Sequence, residues 1–214
     1  MDCNQETVST FDRSASVYAE KYFDLRQYDP YYEAFLESLP EGAVSILDLA
    51  CGPGNVSAFI KSRRADADIL AADRSDGMLE QVRARVSGVG TVNIDCRDLS
   101  YIGRTFHGVV FFFGLSYFSN ADAAKVLDQI LVKLHPGGTL LLASVAGDPS
   151  LSGVQTNKAR DQVFSFFRRP SEITAMVASS GFEVISASKV DSPANASINT
   201  TDSIVIARRP NNGT

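Results

Sequence analysis

Histidine is nearly absent from this chain, with two among 214 residues. That scarcity narrows the choice of general base before any fold is considered. No run of about 18 consecutive apolar residues occurs, so no membrane-spanning helix is expected. Basic residues do not dominate: 20 Lys and Arg stand against 25 Asp and Glu, a formal net charge of −5. That balance argues against a general nucleic-acid binder, whose footprint is a basic face. The three cysteines, Cys3, Cys51 and Cys96, are odd in number and badly spaced for a disulfide frame or a zinc site. Free thiols in a reducing cytoplasm are expected, and no metal. The first ten residues, MDCNQETVST, lack the basic stretch and apolar core of a secretory signal. Without one, the glycosylation patterns at Asn195, Asn199 and Asn212 read as chance matches.

What is present is ordinary in bulk and specific in one place. Hydrophobic residues at 44% and charged residues at 21% suit a soluble globular chain long enough for one domain with a sizeable core. The specific place is ILDLACGPGN, Ile46 to Asn55. Val44, Ile46, Leu47 and Leu49 form a short apolar strand, as expected of one buried on both faces. Gly52 and Gly54 permit a tight turn, and Val56, Phe59 and Ile60 follow at helical spacing. In a doubly wound α/β sheet, a nucleotide-like ligand sits at such a strand–turn–helix junction.

Ahead of that junction, residues 1–10 are polar and read as a frayed end. Phe11, Ala15, Tyr18 and Tyr22 then share one helix face. Asp29 as N-cap and Pro30 at the first helical position start a second helix, with Tyr32, Phe35, Leu36 and Leu39 inward. Residues 1–42 thus form a helical cap on the domain at 43–208. After Val44 strands and helices alternate: strands at 44–49, 68–72, 91–95, 108–113 and 139–145, helices near 55–63 and 76–86, and a helix capped by Asn120. The most apolar strand, 108–113, should be central. This rhythm implies a parallel sheet. It breaks at 146–162, rich in Gly, Pro, Ser and Asn, a length of loop that is usually functional or disordered. VFSFFRR reads as a short edge segment. Ser171 starts a helix that Gly181 stops, two final strands pair antiparallel across a Ser/Asn-rich turn, and 209–214 is a tail.

DLACGPGN, the acidic Asp73 after the second strand, the Asp98-Leu99 pair and the LHPGG turn, taken in order, resemble the class I S-adenosylmethionine-dependent methyltransferases. More narrowly they resemble the small-molecule enzymes with a helical N-terminal cap. The resemblance runs from Phe11 to about Arg208. It implies a Rossmann-like methyltransferase fold, doubly wound and mostly parallel with seven strands, the last antiparallel. It also implies S-adenosylmethionine as cofactor and S-adenosylhomocysteine as product. By the resemblance, Asp48 reaches the ammonium, the backbone of Ala50, Cys51 and Gly52 lines the methionine, and Asp73 accepts both ribose hydroxyls. Asp98 takes the adenine amino group, Met78 and Leu99 sandwich the purine, and Phe113 closes the methionine side. Tyr18 lies over the cofactor, and Arg74 belongs to the same set. Arg26 is a candidate for the methionine carboxylate.

Plainer readings stand beside these. Asp73 can cap the 76–86 helix, Asp98 can satisfy turn amides, Met78 can be core, and Tyr18 can be packing. His107 and His135 precede the fourth and fifth strands, so both should lie at the edge opposite the ligand and serve as no base. Tyr117, just past the fourth strand, is then the catalytic candidate, with Asp148 or a water behind it, although a packing role fits it as well. The cap and the 146–170 segment should build the acceptor pocket. Phe112, Phe113, Tyr117, Phe164, Phe166 and Phe167 would line it, and Arg168 and Arg169 would offer a charge or stand as a solvated strand end. A small, partly apolar acceptor follows, methylated on oxygen, nitrogen or carbon by a cytoplasmic monomer or homodimer. A protein that binds the cofactor without methyl transfer, as a regulator or for other chemistry, is a second reading. An NAD-binding dehydrogenase is a third, since Gly52, Gly54 and Ser57 nearly complete its glycine pattern.

Overall fold

The structure, a computed structural model, describes residues 3–156, 161–193 and 200–211. Cys3's side chain, the three glycosylation patterns and the expected Ser/Asn-rich turn lie outside what is described. The elements in chain order are α1 (Cys3–Tyr22), α2 (Asp29–Glu37), β1 (Ser45–Leu49), α3 (Asn55–Arg63), β2 (Asp68–Asp73), α4 (Asp76–Arg85) and β3 (Val89–Asn93). They continue with β4 (Phe106–Phe112), α5 (Asn120–Lys133), β5 (Leu134–Ala146), β6 (Gly153–Thr156), β7 (Gln162–Ser165), α6 (Pro170–Ser179), β8 (Glu183–Asp191) and β9 (Thr201–Arg208).

Seven strands form one sheet in the order β3-β2-β1-β4-β5-β9-β8. Strands β1 to β5 pair in parallel, and β9 pairs antiparallel with β5 and β8. β4 is central, as its run of apolar residues predicts: Val109, Val110 and Phe111 are fully buried. Apolar side chains on both of its faces fit only where helices cover the sheet on both sides. One face packs α5 and α6 through Leu127, Ile130, Ile173 and Val177. The other packs α2 and α3 through Tyr32, Phe35, Val56 and Ile60.

Several boundaries differ from the sequence expectation, each for a local reason. Residues 3–10 are helical, because Asn4, Thr7 and Thr10 are buried against the protein. Tyr28 takes the N-cap position of α2, preceded by a 3-10 turn over Arg26–Tyr28. β3 leaves the sheet at Asn93, two residues earlier than the β-forming pattern suggests. Ser119 caps α5 through its hydroxyl, which accepts from the Asp122 amide at 3.1 Å. Asn120 is thereby left to accept from Arg168. α6 begins at Pro170, with Glu172 returning to the Arg169 amide at 2.7 Å. The 146–162 stretch is not all loop, since β6 and part of VFSFFRR form a two-stranded antiparallel hairpin.

Helix α1 lies between this hairpin and α4. The Thr10 hydroxyl donates to the Gln162 carbonyl at 2.9 Å, and the Phe164 amide donates to the Thr7 hydroxyl at 3.1 Å. On the other side, Asp12 accepts from the Gly77 amide at 2.7 Å and the Ser75 hydroxyl at 2.9 Å. That carboxylate caps the free amides of α4 from a distant element and sits at the positive end of its dipole. Those hydrogen bonds, the Gly77 amide foremost, hold Asp12 below its ordinary pKa. Gly77 is needed here: a Cβ would lie 2.6 Å from the Asp12 carbonyl oxygen.

Candidate active site

The chain leaves β1 and enters α3 through a turn in which Ala50 (φ 52), Gly52 (φ 53) and Gly54 (φ 90) are left-handed. Ala50 holds that angle at a cost of order 1–3 kcal/mol, and strain of this kind gathers at functional turns. Gly54 is required twice over, since a Cβ there would also approach Val82 Cγ2 to 3.0 Å. The Cys51 amide donates to the Ala72 carbonyl at 3.1 Å, which ties the turn to the end of β2.

Two carboxylates flank the turn. Asp48 is 1% exposed and accepts from the Ser57 hydroxyl at 2.6 Å. Burial pushes its pKa up to about 7, against the opposing pull of Ser57. Asp73 accepts from the Gly52 amide at 2.9 Å with one oxygen and from the Ser75 amide at 2.9 Å with the other. Its pKa is also raised by burial. Each Asp73 oxygen keeps a further lone pair for a ligand. Among the described residues no lysine or arginine pairs with either carboxylate. A buried carboxylate without a cation is expensive unless a ligand supplies one. The site therefore fits a molecule that brings positive charge and hydroxyl donors.

Both carboxylates open into one cleft of about 1050 Å³, counting its mouth. The sheet side of the cleft is the turn, Met78, Phe112, Phe113 and Tyr117; the roof is α1, through Asn4, Thr7, Phe11, Tyr18 and Tyr22. Tyr18 packs against Phe11 and Tyr22 at ring separations of 5.5 and 4.6 Å, and Phe11 against Tyr117 at 5.1 Å. Burial raises the pKa of both the Tyr18 and Tyr117 phenols.

Of the residues expected to contact the cofactor, Tyr18, Asp48, Ala50, Cys51, Gly52, Asp73, Arg74, Met78 and Phe113 all line this cleft. Asp98 and Leu99 do not. Asp98 is exposed and accepts from the Ser100 amide at 3.0 Å, the plain turn role. Leu99 is fully buried in the core under α5. Asp95 and Cys96, three residues earlier, line it instead, because β3 ends at Asn93. Burial alone would raise Asp95, but hydrogen bonds from Arg97 and the charge of Arg74 outweigh it and hold its pKa low. Arg74 reaches Asp95 at 3.1 Å and Asn4 Oδ1 at 3.3 Å. The rule that ligands meet the carboxyl ends of strands would have favoured Asp95, the carboxylate nearer the strand end.

On the acceptor side, Tyr117 lines the cleft, but Phe164, Phe166 and Arg168 stand outside it. Phe164 and Phe166 pack against each other with tilted rings 4.7 Å apart, at the end of the hairpin that backs α1. Arg168 is 3% exposed and donates to Asn120 Oδ1 at 2.9 Å and to the Leu115 and Phe118 carbonyls at 3.3 and 2.6 Å. It fastens the turn after β4 and does not line the cleft. Phe167, Asp148 and Arg169 are also absent from the lining, as is Arg26, whose side chain is 82% exposed. The roof residues Asn4 and Thr7 were hidden in sequence by their small polar character.

The histidines occupy the opposite edge. His107 and His135 sit at the starts of β4 and β5 with rings 4.8 Å apart, in a separate cleft with Ser38, Pro136 and Arg208. The Ser45 amide donates to His107 Nδ1 at 3.1 Å, so that nitrogen is the unprotonated one. Burial and the neighbouring His135 lower the His107 pKa.

A doubly wound, mostly parallel seven-stranded sheet with antiparallel closing strands is the Rossmann-like methyltransferase fold. Residues 46–138 match the family model described as "Methyltransferase domain". That match covers less than half of the chain and makes the region around the turn similar to a methyltransferase domain. The chain is 36% identical over 113 residues to a demethylmenaquinone methyltransferase of Clavibacter sepedonicus, covering 51% of this chain and 44% of that one. It is 40% identical over 152 residues to a trans-aconitate 2-methyltransferase of Methylobacterium nodulans, covering 61% and 55%. The chain thus spans about half the length of the curated relatives it matches. Magnesium protoporphyrin IX methyltransferase from Synechocystis PCC 6803, solved with bound S-adenosylmethionine, superposes with a TM-score of 0.74 at 14% identity over 98% of both chains. At that identity the likeness is one of fold. Among the described residues no helix is long and apolar enough to cross a membrane, and no cluster of ligands for a metal ion occurs.

Proposed function

We propose that this chain binds S-adenosylmethionine in the α1-roofed cleft and transfers its methyl group to a small, partly apolar acceptor. The observation that carries the reading is the pair of buried carboxylates, Asp48 and Asp73, flanking a left-handed turn with no cation among the described residues to neutralise them. When bound, S-adenosylmethionine supplies a methyl group activated by its sulfonium sulfur. Asp48 receives the ammonium, and Asp73 receives the ribose hydroxyls through lone pairs its amide partners leave open. The backbone at Ala50, Cys51 and Gly52 holds the methionine. Met78 and Arg74 flank the purine, and Asp95 replaces Asp98 as acceptor for the adenine amino group. Phe113 and Tyr18 close the methyl end and exclude water, and Tyr117 faces the acceptor. Residues 1–42 act as the cap of the domain at 43–208. The 146–170 segment supports that cap from behind without forming the acceptor wall.

In-line displacement needs alignment and a dry site more than it needs an acid or base. The cleft offers both: its rings exclude water, and α1 is tied to α4 and to the hairpin.

Thermal denaturation with S-adenosylhomocysteine, S-adenosylmethionine and NAD tests the reading, because selective binding stabilises the folded state. Stabilisation by the first two and not by NAD is expected. Label from methyl-labelled S-adenosylmethionine is then expected in a metabolite of a cell extract. Stabilisation by NAD alone, or binding with no transfer to any extract, would overturn it.

A further inference from the structure

Eight aromatic residues line the cleft, among them Phe11, Tyr18, Tyr22, Phe112, Phe113 and Tyr117. Among the described residues its charged lining is three carboxylates, Asp48, Asp73 and Asp95, and one guanidinium, Arg74. That guanidinium is already engaged by Asp95 and Asn4. Arg168 is consumed by Asn120 and two carbonyls. Among the described residues no protein cation is left to pair with an anionic acceptor, which would meet only the sulfonium in an otherwise net-negative cleft.

A second constraint comes from protons. The buried Tyr18 and Tyr117 phenols are poor acceptors of one, and both histidines lie at the far edge of the sheet. On the reading above, Asp48 and Asp73 spend their remaining acceptor capacity on the cofactor's ammonium and ribose hydroxyls. A nucleophile that must lose a proton before it attacks finds, among the described residues, no uncommitted base facing it.

We infer that the acceptor is an uncharged, planar aromatic molecule whose nucleophile is a nitrogen lone pair, an N-heteroaromatic or an arylamine; this rests on the methyl-transfer reading above. The lone pair forms the N–C bond while the C–S bond breaks, its electrons going to sulfur. The positive charge moves from sulfur to nitrogen, and where that nitrogen carries hydrogen a proton leaves afterwards to water. The cleft suits each stage. Ring faces hold a flat neutral molecule, and the same faces attract the cationic product. No charge is created or cancelled, so a dry, acidic cleft carries no penalty for the transfer.

Three probes of one shape separate the possibilities: isoquinoline, 2-naphthol and 2-naphthoate. Calorimetric titration of S-adenosylhomocysteine into the protein comes first, and its failure refutes the methyl-transfer reading itself. With that compound saturating, isoquinoline is expected to bind at least tenfold tighter than 2-naphthoate. With labelled S-adenosylmethionine, the label is expected in N-methylisoquinolinium. Equal or tighter binding of naphthoate, an ether or ester as main product, or no binding of any probe to protein that does bind S-adenosylhomocysteine would overturn the inference.

Discussion

Asp48→Asn is the sharpest perturbation the site offers, because it changes one charge and almost no volume. In the folded chain burial lifts the Asp48 pKa from 3.8 to about 7. The folded protein therefore holds a proton that the unfolded chain releases between those values. Stability falls as pH rises from about 4 to about 7 and then levels off. The full shift corresponds to roughly 4 kcal/mol. A cationic ligand reverses the preference, since only ionised Asp48 pairs with an ammonium. Affinity for S-adenosylhomocysteine should then weaken about tenfold between about pH 8 and about pH 6, approaching a factor of ten per pH unit below the pKa. The ligand's own groups do not titrate in that window. Isothermal titration across it, on wild type and Asp48→Asn, measures the slope directly. The variant should bind weakly at every pH with a flat profile, and without ligand it should gain stability relative to wild type above about pH 7. A flat wild-type profile, or a variant with undiminished affinity at pH 8, would refute the reasoning.

Other perturbations separate structure from chemistry. Arg168→Ala should lower stability by about 3 kcal/mol and speed hydrogen exchange over residues 114–118, because two buried carbonyls lose their donor. An unchanged denaturation midpoint with a raised acceptor KM would instead return Arg168 to the substrate. Gly54→Ala should cost about 2 kcal/mol in urea unfolding, from its left-handed angle and the contact with Val82; a cost below a few tenths would contradict that geometry. The double replacement His107→Gln and His135→Gln should leave methyl transfer within about twofold of wild type. A hundredfold fall with the fold intact would place one of them in the reaction.

The sheet was legible because its strands are continuous apolar runs separated by helical spacing, and the Phe106–Phe112 strand lies at the centre where its composition puts it. The turn after β1 was legible for the same reason: strand, carboxylate, glycines and helix leave little choice. What sequence hid depends on tertiary contact. Asp95 and Asp98 are three residues apart in an irregular segment, and only the position where β3 leaves the sheet decides which one faces the cleft. Arg168 resembles a solvated strand end until Asn120 and two carbonyls are brought to it. Polar Asn4, Thr7 and Thr10 resemble a loose terminus, but the β6–β7 hairpin and Tyr117 give them partners that hold α1 down as a roof.

Crystals grown with S-adenosylhomocysteine test the central claim most directly. The ribose hydroxyls should lie within hydrogen-bond reach of Asp73, the amino group of the methionine portion at Asp48, and the adenine amino group at Asp95. A nucleoside bound elsewhere on the protein, or turned so that its adenine meets Asp98, would contradict the account.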